Sequence, residues 1–135
     1  MTIFLEKDIL LYAAQKMAET HGTLFAVRDD NAFESALARA RNSAEYDDTA
    51  DLSDLAADYA FGIVKNHPLS DGNKRLSYVA CRLFLILNGQ DFNLTEDEKY
   101  RAIVNLAASH LTRDDFAALI RNGCKNRVKK NGGEK

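Results

Sequence analysis

The chain has 135 residues, enough for one domain, and 46% of them are apolar, enough for a core without disulfides or metals. Its 18 basic and 20 acidic residues leave a net charge of −2, which excludes a general polyanion binder. One proline, Pro68, and seven glycines argue against a turn-rich sandwich or barrel and for long helices.

Six helical segments follow in chain order, with short connections and no internal repeat. The first is expected from about Lys7 to Glu19, closed by His21-Gly22. The second starts near Asp30-Asn31, good N-cap residues, and places Phe33, Leu37, Ala40 and Ala44 on one face. Ser53 is read as the cap of a third, in which Leu55, Tyr59 and Ile63 share a face up to the break at Pro68. The fourth begins around Ser70-Asp71 and stops at Asn88-Gly89. It is apolar almost all round and is therefore expected to be the axis of the bundle. Gln90 to Leu94 is the one extended-looking stretch, too short for a sheet by itself. Thr95 and Glu98 form a capping box that opens a fifth helix running to about His110. Thr112 caps a sixth, with Leu111 and Phe116 as a hydrophobic staple and Gly123 as its end. The expected fold is an all-α bundle over residues 1–123, followed by a basic, flexible tail over 124–135.

No apolar run approaches the ~20 residues needed to span a bilayer, and the N-terminus lacks the pattern of a signal peptide. Cys81 lies among apolar residues and Cys124 near the basic end, which is no disulfide framework. Free thiols in a chain without a leader point to the cytosol. Charge is segregated. From Arg121 onward six basic residues stand against Glu134 alone, a local +5, whereas Glu45, Asp47, Asp48, Asp51, Asp54 and Asp58 have no basic residue among them. Both stretches are read as solvated, and direct binding to nucleic acid is not expected. His21 and His110 suit helix ends, and no histidine–carboxylate spacing resembles a zinc site.

The segment from His67 to Arg75 is the informative one. Ser70, Asp71 and Gly72 are by themselves ordinary turn and cap residues. Lys74 and Arg75, however, fall in the first turn of the fourth helix, where unsatisfied N–H groups already carry partial positive charge. A cation there costs about 0.3–1 kcal/mol. Two of them make sense if an anion sits at that end. Free N–H groups, a glycine allowing close approach and two cationic side chains form a phosphate cradle. Asp71 beside it suits Mg²⁺, and His67, just outside the helix, suits a general base. Base, metal carboxylate and anion hole within nine residues describe phosphate-transfer chemistry.

This segment resembles the motif of the Fic/Doc family, in which a histidine precedes an acidic residue, a small residue, asparagine and arginine. Lys74 matches the Doc (death-on-curing) toxin branch, where the AMP-transferring Fic branch has glycine. Asp29 to Arg41 resembles the family's second helix, and Leu83-Phe84-Leu85 to Asn88-Gly89 its central helix and stop, so the similarity runs from about Gly22 to Phe92. The resemblance implies a small all-α fold in which His67 takes a proton from a target hydroxyl and Asp71 binds Mg²⁺. It implies that Gly72, Asn73 and Lys74, aided by Arg75, hold the phosphates of ATP. Doc-like members are similar to kinases, moving the γ-phosphoryl of ATP to a threonine of elongation factor Tu. They are toxins restrained by an antitoxin whose C-terminal helix fills a groove beside the motif. An AMP transferase and a catalytically idle peptide-binding module are the alternatives.

The chain departs from the family pattern in several places. Leu69 replaces the usual aromatic but keeps an apolar anchor, and Tyr78 stands where Fic enzymes carry a second arginine. Arg82, a turn further on, is a candidate substitute. The Ser/Thr–Glu element of self-inhibited members is absent, since the one such spacing, Thr2 to Glu6, is followed by Lys7.

Overall fold

Side-chain caps open α2, α3, α5 and α6, whereas α1 and α4 start without one, and the caps refine the expected boundaries. The computed structural model describes residues 1–92 and 94–126. Helix α1 (Lys7–His21) ends at Gly22, whose φ of 67° lets the next amide, Thr23 N–H, turn back to Ala18 O at 2.9 Å. Helix α2 (Asp30–Tyr46) is capped by Asp29, which accepts from Ala32 N at 3.1 Å, one residue ahead of the expected start.

Helix α3 (Leu52–Asn66) opens on a reciprocal box between Asp51 and Asp54, with bonds of 2.9 and 3.0 Å. Ser53, expected to be the cap, is instead inside the helix and buried. A carboxylate on either side of it fills both capping directions at once.

Helix α4 (Asn73–Leu87) starts later than Ser70-Asp71. Ser70 is held extended by its N–H to Ala26 O, at 3.0 Å, and Gly72 adopts φ 87° outside the helix. Helix α5 (Glu96–Ala107) opens on the expected box, Glu98 N to Thr95 Oγ1 at 3.1 Å and Thr95 N to Glu98 Oε1 at 2.9 Å. It stops short of His110, because Ser109 turns to φ 66° and His110 N–H returns to Asn105 O. Helix α6 (Arg113–Gly123) follows Thr112, whose Oγ1 accepts from Asp115 N at 3.0 Å.

The six helices form the expected all-α bundle, with one small addition. Gln90–Phe92 (β1) pairs antiparallel with Cys124–Asn126 (β2), in the register Gln90 to Asn126. The extended stretch thus finds its partner just beyond Gly123, where the tail was expected to begin. Residues 127–135 of that tail lie outside the described residues.

The bundle's axis differs from the one expected. Helix α3, rather than α4, is enclosed on nearly all sides, with ten of its residues buried. Its alanines and Gly62 let neighbours approach: a Cβ on Gly62 would lie 3.1 Å from Ala36 Cα of α2. The bulkier α4 buries Leu76, Ala80, Cys81, Phe84 and Leu85 but leaves Val79, Leu83 and Ile86 half-buried and Leu87 exposed. Burial is decided here by closeness of approach more than by the number of large apolar residues.

The acidic stretch is no solvated face throughout. Asp58 is buried and accepts from Arg113 Nε at 2.8 Å, while Arg121 reaches Asp51 at 2.8 Å and Asp54 at 3.0 Å. These pairs pin α6 to the N-terminal half of α3, so the acidic stretch is partly neutralised by two arginines of α6. Among the described residues, no helix is long and apolar enough to cross a membrane.

Candidate active site

Helices α3 and α4 meet at the turn 67–72, and the chemistry-bearing residues lie on that turn and the first turn of α4. Residue His67 follows the last residue of α3 at φ 50°, ψ 56°, a left-handed conformation that redirects the chain toward Pro68. Leu69 is buried and anchors the turn in the core, as its apolar character suggests. Two clamps hold the turn. From the α1–α2 connection, Arg28 N and Asp29 N donate to Pro68 O at 2.7 and 3.2 Å. In the same connection, Val27 bridges Leu69 in antiparallel fashion. From α4, the Asn73 side chain accepts from Leu69 N and donates to Leu69 O, both at 2.9 Å. That pairing fixes the orientation of the amide, and its Nδ2 lies 3.5 Å from His67 Nδ1. The Asn73 side chain therefore holds the loop and the imidazole, while its backbone N–H is left for the cradle.

Gly72 precedes α4 with φ 87° and contributes no capping side chain. A Cβ there would meet only Arg75 Nη1, at 3.6 Å, so the requirement for glycine comes from the backbone conformation rather than from lack of space. The first intrahelical bond runs from Leu76 N to Gly72 O at 2.8 Å, which leaves the amides of Asn73, Lys74 and Arg75 at an uncapped N-terminus.

All six residues singled out from the sequence, His67, Asp71, Gly72, Asn73, Lys74 and Arg75, line one groove of about 610 Å³. Its opposite wall is α5, through Lys99, Tyr100, Ile103 and Val104. Lys99 is nearly buried, sits 5.2 Å from the centre of the Tyr78 ring and pairs with Glu96 at 3.3 Å. Burial acts to lower its ammonium, but Tyr78 and Glu96 outweigh that and hold it above its ordinary value.

The cations of the groove differ from the others in their pairing. Among the described side chains, Lys7, Lys16, Arg39, Arg41, Arg82, Lys99, Arg101, Arg113 and Arg121 each pair with a carboxylate. Arg28 and Lys65 donate to backbone carbonyls. Lys74 and Arg75 form no ion pair among the described residues, and they sit where the helix dipole is positive. Asp71 is exposed at the same mouth. Among the described residues, no cluster of three or more histidine, cysteine or carboxylate groups could hold a metal by itself. A cation held at Asp71 would need its other ligands from outside the chain, as Mg²⁺ commonly takes them from phosphate oxygens and water.

Arg82 does not substitute for the missing second arginine. It grips Asp91 of β1 with Nε at 2.8 Å and Nη2 at 3.0 Å, and it does not line the groove. Seven residues beyond Arg75 is about 10 Å along a helix, which takes it to β1 instead. Sequence reasoning also passed over Arg28 and the α5 wall. The stripe Glu96, Lys99, Tyr100, Ile103, Ala107 has helical spacing, but nothing in its composition tells which neighbour it faces.

A family model described as the Fic/DOC family matches residues 4–85, from the N-terminus to within α4. The matched residues include the whole of the turn and the cradle. No curated protein matches the chain.

Proposed function

The chain belongs to the Fic/DOC family, whose members transfer AMP or phosphoryl groups, and from that premise we propose a Doc-type protein kinase acting as the toxin of a toxin–antitoxin pair. In this reading it moves the γ-phosphoryl of ATP to a threonine hydroxyl of elongation factor Tu and so blocks translation in the cytoplasm. The observation that carries it is the pair of unneutralised cations, Lys74 and Arg75, at an uncapped helix N-terminus that opens into the same groove as His67 and Asp71. A phosphate chain supplies the missing counter-charge.

Lys74 supports phosphoryl transfer over AMP transfer. It is exposed and lines the groove where the AMP-transferring branch has glycine, filling space that the other nucleotide orientation needs.

The chain's own residues divide the work. The amides of Asn73, Lys74 and Arg75, with the Lys74 and Arg75 side chains, hold the phosphate oxygens. Asp71 would hold Mg²⁺, which when bound offsets phosphate charge and helps align the chain for displacement. The His67 imidazole removes the threonine hydroxyl proton, the oxygen bonds to the γ-phosphorus, and ADP departs with the electrons of the broken bridging bond. Positioning and charge stabilisation dominate such a transfer. An aligned base and a preorganised anion hole each contribute factors of about 10²–10³.

The α5 wall, apolar at Ile103 and Val104 and with Tyr100 largely exposed, suits the antitoxin's C-terminal helix. Mass spectrometry of elongation factor Tu after incubation with ATP, Mg²⁺ and this protein tests the reading. A gain of phosphate on threonine is the expected result. A gain of AMP points to the transferase, and no covalent change to a binding module. His67→Ala is expected to stay folded and lose both transfer and toxicity; a fully toxic variant overturns the role of His67 as base.

A further inference from the structure

The residue that carries the base is held in a conformation that a non-glycine side chain disfavours. His67 is one of only two non-glycine residues at positive φ among the described residues. Such a conformation costs about 1–2 kcal/mol and persists only where the surroundings over-determine it. Besides the backbone pairing of Pro68, the Asn73 contacts to Leu69 and the imidazole, and the His67 N–H to Ile63 O at 3.1 Å, one side chain holds the carbonyl of His67. Arg28 Nε donates to His67 O at 2.7 Å, and Arg28 Nη2 donates to Asn66 O at 2.9 Å. The guanidinium thus forks across the last carbonyl of α3 and the carbonyl of the base itself. It forms no ion pair among the described residues and does not line the groove, so it acts on the site only through the backbone of residues 66 and 67. The backbone N–H of the same residue holds Pro68 O.

We propose that Arg28 is the positioning residue of the transfer reaction, fixing His67 in its left-handed conformation so that the imidazole is presented to the groove. The inference rests on the reading of His67 as the base, but its structural half stands on the fork alone. A lysine has one compact donor head and cannot span both carbonyls in one plane, so Arg28→Lys is not conservative here.

The test compares the full chain with Arg28→Lys, Arg28→Ala, His67→Gly and the Arg28→Ala/His67→Gly double variant. In ATP titrations with Mg²⁺, both Arg28 variants are expected to keep the nucleotide affinity within about twofold. The kcat for transfer to the protein target falls on the order of 10–100-fold, the scale of a base misplaced by a fraction of an ångström. The His67 ring resonances change from one NMR set to several. In urea unfolding, Arg28→Ala lowers the midpoint clearly when His67 is present and much less in the His67→Gly background, because glycine needs no clamp at φ 50°. Equal losses in both backgrounds, or an unchanged kcat in Arg28→Ala, overturn the proposal. A parent chain that binds ATP but transfers nothing overturns the kinase reading instead, and the unfolding cycle and ring resonances then decide the role of Arg28 by themselves.

Discussion

Neutralising Lys74 is expected to stabilise the protein and disable it at the same time. Lys74 occupies the second position of α4, its side chain is exposed and has no carboxylate partner, and the helix ahead of it is uncapped. A cation in the first turn costs about 0.3–1 kcal/mol, so Lys74→Gln should raise stability by about that amount. For a chain of this size the corresponding rise in Tm is about 1–4 °C. Lys74→Glu reverses the charge and should roughly double the gain. The backbone of Lys74, whose carbonyl accepts from Ser77 Oγ at 2.7 Å, is unaffected by either change. Binding moves in the opposite direction. A charged contact to phosphate is worth about 1.5–3 kcal/mol, so Lys74→Gln should weaken ATP by about tenfold or more. Thermal unfolding without nucleotide, repeated at about 1 M salt to screen the dipole term, measures the first effect, and ATP titration the second. A variant that is less stable than the parent, or one that binds ATP equally well, refutes the argument that an anion belongs at this helix end.

Three further outcomes follow from the packing and the ion pairs. Gly62→Ala places a methyl 3.1 Å from Ala36 Cα and 3.2 Å from Ala36 O, backbone atoms that can yield only if α2 and α3 separate. It should cost about 1–3 kcal/mol in urea unfolding. Arg113→Ala leaves the buried Asp58 without its nearest guanidinium and should cost about 3–5 kcal/mol. Transfer by the protein that remains folded should be little changed, since no residue of α6 lines the groove. The hydrogen bond and charge of Arg121 hold Asp51 down to about 2 from an ordinary 3.8. The unfolded chain therefore takes up this proton first as pH falls. The stabilisation is complete above pH 3.8 and is lost on going down through about 2. With Asp51 half exposed, solvent screening reduces its worth to about 1 kcal/mol or less. Arg121→Gln should remove that part of the acid sensitivity in a pH series of urea midpoints.

Local rules made the helices and most of their ends readable. The Thr95–Glu98 box, the Thr112 cap and the Gly22 and Gly89 stops all depend on residues within four positions of each other. The residues of the proposed cradle stand out for the same reason: its donors and cations are contiguous, and two cations at a helix start conflict with the local electrostatics. What stayed hidden depends on distant contacts. Ser53 yields to Asp51 as a cap because Asp54 completes the box and Ser53 is needed inside. Arg28 reads as one surface arginine among several until residues 66 and 67 are brought to it. Arg82 looks like a site residue by spacing along its helix, yet Asp91 claims it from the next element. The enclosed position of α3 is likewise a property of its neighbours' small residues, and counting apolar positions along α4 overstated that helix's burial.

The two ends of α3 explain why so small a chain can hold a precise site. A helix of this length is about 22 Å long and, being packed on nearly every side, moves as a rod. Its N-terminal half is tied to α6 through Asp51, Asp54 and Asp58, and its C-terminal carbonyls are tied to Arg28. His67, the residue that follows the rod directly, is thus positioned by the core through its own left-handed backbone. The same scheme accounts for the charge. Among the described residues most cations are committed to carboxylates or carbonyls, and several of these pairs fasten one element to another. Lys74 and Arg75 have no such duty in the folded chain. A cation that stabilises nothing internally, at the helix position where it costs most, is retained against the fold's own electrostatics. In the proposed reading a bound anion supplies the compensation, and the groove that would hold it also contains His67.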